Sequence, residues 1–302
     1  MQKINQDMNL VKLNAQFSND ATCRAYLERL RWPNGLACLR CGNTTVYPIK
    51  HRGQYHCPAC TYQFSVTTGT VMQDTHLPLG KWFLATYLML ESRKGISANQ
   101  MKRTLCIGYQ TAWYLCHRIR AAMAELNPEP LRGTVEVDET FVGGKVQGKG
   151  RGYRGNKAIV VGAIQRQGPI RLKVVKDTTR KTLHGFIRST TAPDTEAIYT
   201  DEWPAYRGIG DKDTRHETVN HSADEWVRGQ VHTNTIESVW SLLDRSIIGA
   251  YHHVSVKHID AYVDELEWRF SNRENPYLFR DTLTKLLTSE RLEYKTLVTK
   301  AV

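Results

Sequence analysis

A multidomain α/β protein is predicted, on three observations. Four cysteines stand in two Cys-x-x-Cys pairs within the first 60 residues, apolar residues recur with a helical period over 78–126, and strand-like runs ending in acidic residues follow a proline-rich linker. The 302 residues suffice for two or three folded units with buried cores. Lys and Arg number 41 against 30 Asp and Glu, and the net charge of +11 points to a polyanionic partner. The longest apolar stretch, 82–90, is too short to span a bilayer, and residues 1–20 lack the apolar core and cleavage site of a signal peptide. No membrane association and a reducing, cytoplasmic setting are therefore expected.

The cysteine pattern is Cys38-Leu39-Arg40-Cys41, then 15 residues, then Cys57-Pro58-Ala59-Cys60. This is zinc-ribbon spacing, in which two tight turns each offer a thiolate pair to one tetrahedral ion, and Gly42 and Pro58 suit such turns. Two disulfides are the alternative, but cytosolic thiols stay reduced. Four thiolates close the coordination sphere, so one structural Zn²⁺ is expected. Short strands are expected at 46–49, 54–56 and 62–66, giving a first domain over 1–73 that also holds an N-terminal helix. Cys23, Cys106 and Cys116 have no partner at metal spacing and are expected to be small buried side chains.

A helical domain over 74–127 follows. Residues 82–90 form a strongly apolar helix that Arg93-Lys94-Gly95 stops, and Ser97 with Gln100 makes a capping box for a short second helix. Gly108 supplies the next turn, and a third helix runs from Tyr109 through Arg120. Two short helices about a tight turn, with basic residues on the second, read as a helix-turn-helix or as a helical hairpin that binds nothing. As a DNA reader it would place Tyr109, Gln110, Thr111 and Tyr114 near base edges, with Arg118 further along the same helix.

Leu126-Asn127-Pro128-Glu129-Pro130 is a linker, and beyond it residues 134–141 alternate as a strand that carries Asp138. A carboxylate there is costly without a cation or a hydrogen-bond network. Strands are expected at 158–165 and 170–176 about an Arg166-Gln167-Gly168-Pro169 hairpin, then a helix near 182–189 and a strand at 197–200 that ends at Asp201. Strand, strand, strand, helix, strand is the order of a ribonuclease-H-like mixed sheet, with Asp138 and Asp201 on adjacent strands. On a helix after His232, Ile236, Val239, Trp240, Leu243 and Ile247 share one face, and Asn234, Glu237, Ser241 and Arg245 the other. Singly, Asp138 can cap a turn, Asp201 can cap the Glu202-Trp203-Pro204 segment, and Glu237 can be a solvated helix residue. Together the three acids can hold two Mg²⁺ (or Mn²⁺) ions and activate a water or sugar hydroxyl against phosphate. Glu136, Glu139 and Glu202 rank behind them, and His216, His221 and His232 are expected to be structural.

Positive charge is densest over 144–181, at +10, opening with the glycine-rich basic loop of Lys145, Lys149, Arg151, Arg154 and Lys157. Its glycines let backbone approach a phosphate chain, and each neutralised phosphate releases counterions. Arg245 joins this loop as an expected phosphate contact.

At these residues the sequence resembles a known family. The cysteine pairs, the helix-turn-helix, Val137-Asp138-Glu139-Thr140-Phe141-Val142-Gly143-Gly144-Lys145, Tyr199-Thr200-Asp201-Glu202, Asn220-His221-Ser222, the 232–241 segment and Gly249-Ala250-Tyr251-His252-His253-Val254-Ser255 look like the ISXO-like insertion-sequence transposases with an N-terminal zinc ribbon and a DDE catalytic domain. The resemblance spans roughly residues 20–273. It implies an enzyme that binds double-stranded DNA at terminal inverted repeats, cuts the element ends and joins the 3′-hydroxyls to target DNA. Asp138, Asp201 and Glu237 match the catalytic triad position for position, and Asn234 matches an extra polar position beside it. The catalytic domain would occupy 131–275 and a helical tail 276–302. Two element ends imply a homodimer or larger assembly, and the setting would be the bacterial nucleoid. A ribonuclease-H-like nuclease or resolvase and a non-catalytic DNA-binding regulator are the alternatives.

Overall fold

The computed structural model describes residues 8–143, 157–219 and 227–299, and the chain divides into two units. The first comprises Met1–Ser92, Ile96–Met123 and Glu274–Val302. It opens with α1 (Leu10–Gln16), whose first turn is capped by the Asn9 side chain accepting from Lys12 N at 2.9 Å. Next comes α2 (Asp20–Arg31), started by an Asn19/Thr22 capping box. Three short antiparallel strands, β1 (Tyr47–Ile49), β2 (Gln54–His56) and β3 (Gln63–Phe64), form the ribbon. Tyr55 donates from its hydroxyl to Glu28 Oε1 at 2.8 Å, and Arg31 donates to the carbonyls of Val66 and Thr68, which ties the ribbon to α2.

Helices α3 (Leu79–Glu91), α4 (Ala98–Leu105) and α5 (Tyr109–Met123) follow. Only half of the expected capping box forms at α4. Ser97 Oγ accepts from Gln100 N, while the Gln100 side chain turns outward to Arg103 and Thr104. The left-handed residue that ends α4 is Cys106 (φ 50°) and not Gly108, and Cys106 is exposed, contrary to the expectation of burial. Cys23 and Cys116 are buried as expected.

The second unit, Arg93–Gly95 with Ala124–Arg273, is built on a five-stranded sheet. Its strands are β4 (Thr134–Val142), β5 (Ala158–Gln165), β6 (Ile170–Val175), β7 (Ala197–Thr200) and β8 (Arg215–Thr218), in the order β6-β5-β4-β7-β8. The first three make an antiparallel meander, β7 lies parallel beside β4, and β8 lies parallel beside β7. This is the ribonuclease-H-like arrangement, with β8 an addition that four polar, partly exposed residues did not announce. Helix α6 (Arg180–Thr190) packs on one sheet face around Val135, Val137, Leu183, Phe186 and Tyr206. On the other face lie α7 (Asn234–Ser246), which runs into a π-helical turn at Ile247–Tyr251, and α8 (Ile259–Ser271), packed around Val160, Ile170, Ile236 and Trp240.

The chain then returns to the first unit. The single helix expected near residues 281–297 is two, α9 (Leu278–Thr288) and α10 (Tyr294–Val298). Phe279 of α9 joins Phe17 and Phe83, with ring centroids 6.3 and 6.0 Å away, so α9 completes the core of the N-terminal helices.

Candidate functional site

Alternation along β4 sorts its acids. Glu136 and Asp138 share the face that α7 covers, whereas Glu139 points to the α6 side, where the buried Tyr206 hydroxyl donates to it. The parallel register pairs Glu136 with Tyr199, so two residues further Asp138 comes level with Asp201, one residue beyond the end of β7. Asp201 Oδ1 accepts from Trp203 N at 3.0 Å, an Asx turn that leads into the 3₁₀ turn Pro204–Tyr206. The 3₁₀ turn itself has Trp203 as its N-cap and no side-chain cap, so Asp201 shapes the approach to it and does not cap it. Asp138 Oδ2 accepts from Trp240 Nε1 of α7 at 2.9 Å. Burial, with the charges of Glu139 and Asp201 adding and the Trp240 hydrogen bond opposing, pushes Asp138 up to about 7.

Glu237 lies one turn before Trp240 and Ser241 on α7, half-buried, with Thr233 Oγ1 donating to its Oε1 at 2.9 Å. It lines an open groove of about 560 Å³ with Lys94, Trp240, Ser241, Asp244 and Arg245. Asn234 and Arg245 are exposed, as their predicted face requires, and Lys157 is half-buried just before β5. The structure brings Asp138 and Asp201 side by side and sets Glu237 one turn along α7 from the Trp240 that bonds Asp138, but the oxygens of the three do not all close within 4.8 Å of one another.

What docks α7 there is Glu136, a residue ranked second from sequence. Its carboxylate is fully buried, accepts from Thr235 N and Thr235 Oγ1 at 2.8 Å and from Ile236 N at 3.2 Å, and pairs with Arg166 Nε at 2.8 Å. His232 Nδ1 stands 3.3 Å away. An anion set against the free amides of a helix's first turn is stabilised by hydrogen bonds and by the helix dipole together. Glu136 therefore holds α7, and with it Glu237 and Trp240, against the strand that carries Asp138. His216 Nε2 lies 3.1 Å from Thr200 Oγ1, in keeping with a structural role.

The four ribbon cysteines form a second cluster, the only group of three or more metal-ligating side chains within 4.8 Å among the described residues. Cys38 and Cys60 sulfurs are 3.6 Å apart, as are those of Cys41 and Cys57. A tetrahedron with Zn–S bonds of about 2.3 Å has edges of about 3.8 Å, so the cradle fits one Zn²⁺. Backbone turns shape it, with Gly42 N donating to Cys38 O and Cys57 N to Tyr62 O. Burial raises Cys57, but the amides of Cys60 and Ala59 and the neighbouring thiols outweigh it and hold Cys57 down to about 6, near the thiolate form a metal takes.

At the start of α5, Tyr109, Gln110 and Thr111 are exposed, as are Lys102 and Arg103 on α4. Two residues of the predicted DNA-reading set are otherwise engaged. Arg118 is only 5% exposed, donates to the carbonyls of Val71 and Gln73, and stacks on Trp82, so its charge is held inside the first unit. Tyr114 donates from its hydroxyl to Leu292 O and packs on Tyr294. The helical period does not announce burial for Arg118, which lies seven residues after the exposed Thr111 and so on the same side of α5. Lys145, Lys149, Arg151 and Arg154, with residues 220–222, lie outside the described residues. No helix among the described residues is long and apolar enough to cross a membrane.

Residues 130–271 match the family described as the ISXO2-like transposase domain, and residues 18–63 match the transposase zinc-ribbon domain. An uncharacterized protein in transposable element ISH50 of Halobacterium salinarum is 27% identical over 275 residues, covering 84% of this chain and 91% of that protein. An uncharacterized transposase-like protein of Haemophilus influenzae is 29% identical over 101 residues, 33% of this chain and 80% of that one. Among solved structures, a chain of the Mos1 strand transfer complex aligns over 68% of this chain and 75% of its own, with 11% identity and a TM-score of 0.31. A chain of the simian T-cell lymphotropic virus intasome in complex with a PP2A regulatory subunit aligns over 72% and 75%, with 11% identity and a TM-score of 0.26. The chain thus carries an ISXO2-like transposase domain over its mixed sheet and a transposase zinc-ribbon domain over its cysteine cradle.

Proposed function

We propose that this transposase binds the terminal inverted repeats of its element, cleaves DNA at the element ends and transfers the freed 3′-hydroxyls to target DNA. The observation that carries the reading is that Asp138, level with Asp201 across β4 and β7, is hydrogen-bonded by Trp240, one turn along α7 from Glu237. Carboxylate oxygens are the donors that hard divalent cations take. Burial first, then the charges of Glu139 and Asp201, push Asp138 up, and a bound cation would oppose both. Asp138, Asp201 and Glu237 would hold two Mg²⁺ or Mn²⁺ ions, with Asn234 as a further ligand or an orienter of water. When bound, such ions make a water or 3′-hydroxyl a stronger nucleophile and stabilise the charge on the leaving oxygen.

The chain's own groups prepare this. Trp240 aims one oxygen of Asp138, Thr233 aims Glu237, and the Asx turn holds Asp201. Residues 1–73 and 74–127 would be the DNA-reading part, with one structural Zn²⁺ in the ribbon, and residues 131–275 the catalytic part. Tyr109, Gln110 and Thr111 would reach base edges, and Arg245, Lys157 and the basic loop would meet phosphates. Two ends cut in one event call for a homodimer or larger assembly on DNA.

The test is incubation of the purified protein and its Asp201→Ala variant with an end-repeat duplex and Mg²⁺. Metal-dependent nicks and joined products that vanish in the variant are expected. Cleavage without joining would make it a nuclease, and binding without cleavage a regulator.

A further inference from the structure

The exposed face of α6 carries a feature that the acidic site does not use. Arg180, Lys181, His184 and Arg188 follow one another at helical spacing and line an open groove of about 580 Å³ whose remaining walls are Gly185 and Gly208. Arg180, Lys181 and Arg188 are exposed, and none forms an ion pair with a described residue. His184 is buried beneath them, and its Nε2 has no hydrogen-bond partner among the described residues. Gly208, at φ +73°, takes a backbone conformation that favours glycine and lets the Arg180 guanidinium lie against its Cα. No carboxylate lines the groove. The nearby acids are committed elsewhere, Asp177 to Thr179 and Thr182 at the helix cap and Asp211 to the amides of Asp213 and Thr214.

Topology sets the groove beside the acidic edge. β6 runs parallel to β4, so α6 begins at the same end of the sheet at which β7 delivers Asp201. The segment from Asp201 through Tyr206 leads directly to Gly208, at the N-terminal end of the groove. From Arg180 to Arg188 the helix rises about 12 Å, the axial length of three to four phosphates of one DNA strand at about 3.4 Å each. Three exposed cations over that length, with no ion pair to a described residue and only the charge of Asp211 acting on Arg188, suit a phosphate chain better than a single small anion.

We propose that this groove binds the DNA backbone, so that a duplex engaged at the Asp138/Asp201 edge continues over α6 on the sheet face opposite α7. The proposal deepens the DNA-processing reading above and rests on it. Burial together with the charges of Arg180 and Arg188 lowers the pKa of His184, which agrees with cations crowded around an anion-binding floor.

Fluorescence anisotropy of a 30-base-pair duplex with the full-length protein, titrated across salt concentrations, tests it. The variant Arg180→Ala/Lys181→Ala/Arg188→Ala is expected to bind at least tenfold more weakly at low salt. Its slope of log affinity against log salt should be shallower by about 2.7, at about 0.9 for each phosphate no longer neutralised. The weakening should be equal on end-repeat and unrelated duplexes, because backbone recognition carries no sequence information. Lys212→Ala, which removes an exposed cation outside the groove, should leave binding unchanged. A wild-type protein that binds while the triple variant keeps its affinity and slope overturns the groove proposal alone. A weakening confined to the end-repeat duplex also overturns it. A wild-type protein that binds no DNA overturns the DNA-processing reading and the groove with it.

Discussion

Gly162 opposes Asp138 in the β4–β5 register, on the sheet face that α7 covers. A Cβ at this position would lie 2.7 Å from Trp240 Cη2 and 2.9 Å from Ile236 Cδ1 and Leu172 Cδ2. The two aliphatic ends can rotate away, but the indole is rigid and must retreat by about 1 Å to reach an ordinary carbon contact of about 3.5–4.0 Å. Trp240 is also the donor to Asp138, and the first turn of its helix is fixed by Glu136, so the retreat breaks the 2.9 Å hydrogen bond or tilts α7. In an open position, replacing glycine with alanine stabilises by about 0.4–1 kcal/mol, whereas here overpacking should destabilise by about 1–3 kcal/mol. The sign alone therefore tests the packing. Displacing Glu237 and Asp138 by about 1 Å should slow strand cleavage about a hundredfold. Gly162→Ala is measured by urea unfolding and by single-turnover cleavage of an end-bearing duplex. Adding Trp240→Phe shortens the ring and should restore most of the stability but not the rate, because phenylalanine offers Asp138 no donor. A Gly162→Ala protein that is as stable as the parent and cleaves within threefold of its rate would refute the reasoning.

Three further outcomes follow from other parts of the molecule. Cys57→Ser should lower zinc content, read by atomic emission, from one per chain to none, since it opens the four-thiolate cradle; stoichiometric zinc in the variant would contradict a Cys₄ site. Arg118→Ala should destabilise the first unit by about 2–4 kcal/mol by stranding the buried carbonyls of Val71 and Gln73, whereas Gln110→Ala should weaken duplex binding and leave stability within about 0.5 kcal/mol; the reverse pattern would put Arg118 on the DNA. Glu267, raised to about 7 by burial, with Asp264 and Glu125 adding and Leu172 N and Arg171 opposing, binds its proton more tightly folded than unfolded. Its contribution is thus complete below about pH 4.5 and lost as pH rises through about 7, a fall of about 3 kcal/mol at about 1.36 kcal/mol per pKa unit. Denaturant midpoints across that window should fall less in Glu267→Gln than in the parent, and parallel curves would sink the assignment.

Much of this molecule is written in short-range spacing. Two Cys-x-x-Cys turns suffice to predict a metal cradle, because each turn places its own thiolates, and the four sulfurs do converge within 4.8 Å. A period of about 3.6 puts Glu237 and Arg245 on the open face of α7 and Trp240 on the buried one, as found. The same period does not decide Arg118 on α5, which it sets on the side of the exposed Thr111; only the carbonyls of Val71 and Gln73, 47 and 45 residues away, give that charge its partners and bury it.

Sequence alone determined the cysteine cradle, which acids are candidates and the order of elements apart from β8 and the break between α9 and α10, since those depend on neighbours a few residues apart. Tertiary structure decided the roles. Glu136 and Asp138, two apart on one strand, face the same way, and nothing local distinguishes them. Thr235 and Trp240, 99 residues beyond the first and 102 beyond the second, make Glu136 the anchor of a helix and Asp138 the partner of an indole. The basic groove on α6 is of the same kind, because one of its walls, Gly208, arrives from beyond β7. A carboxylate's or a cation's task is set by what lands on its face of the sheet, and contacts across a hundred residues leave no period in the chain for a sequence to display.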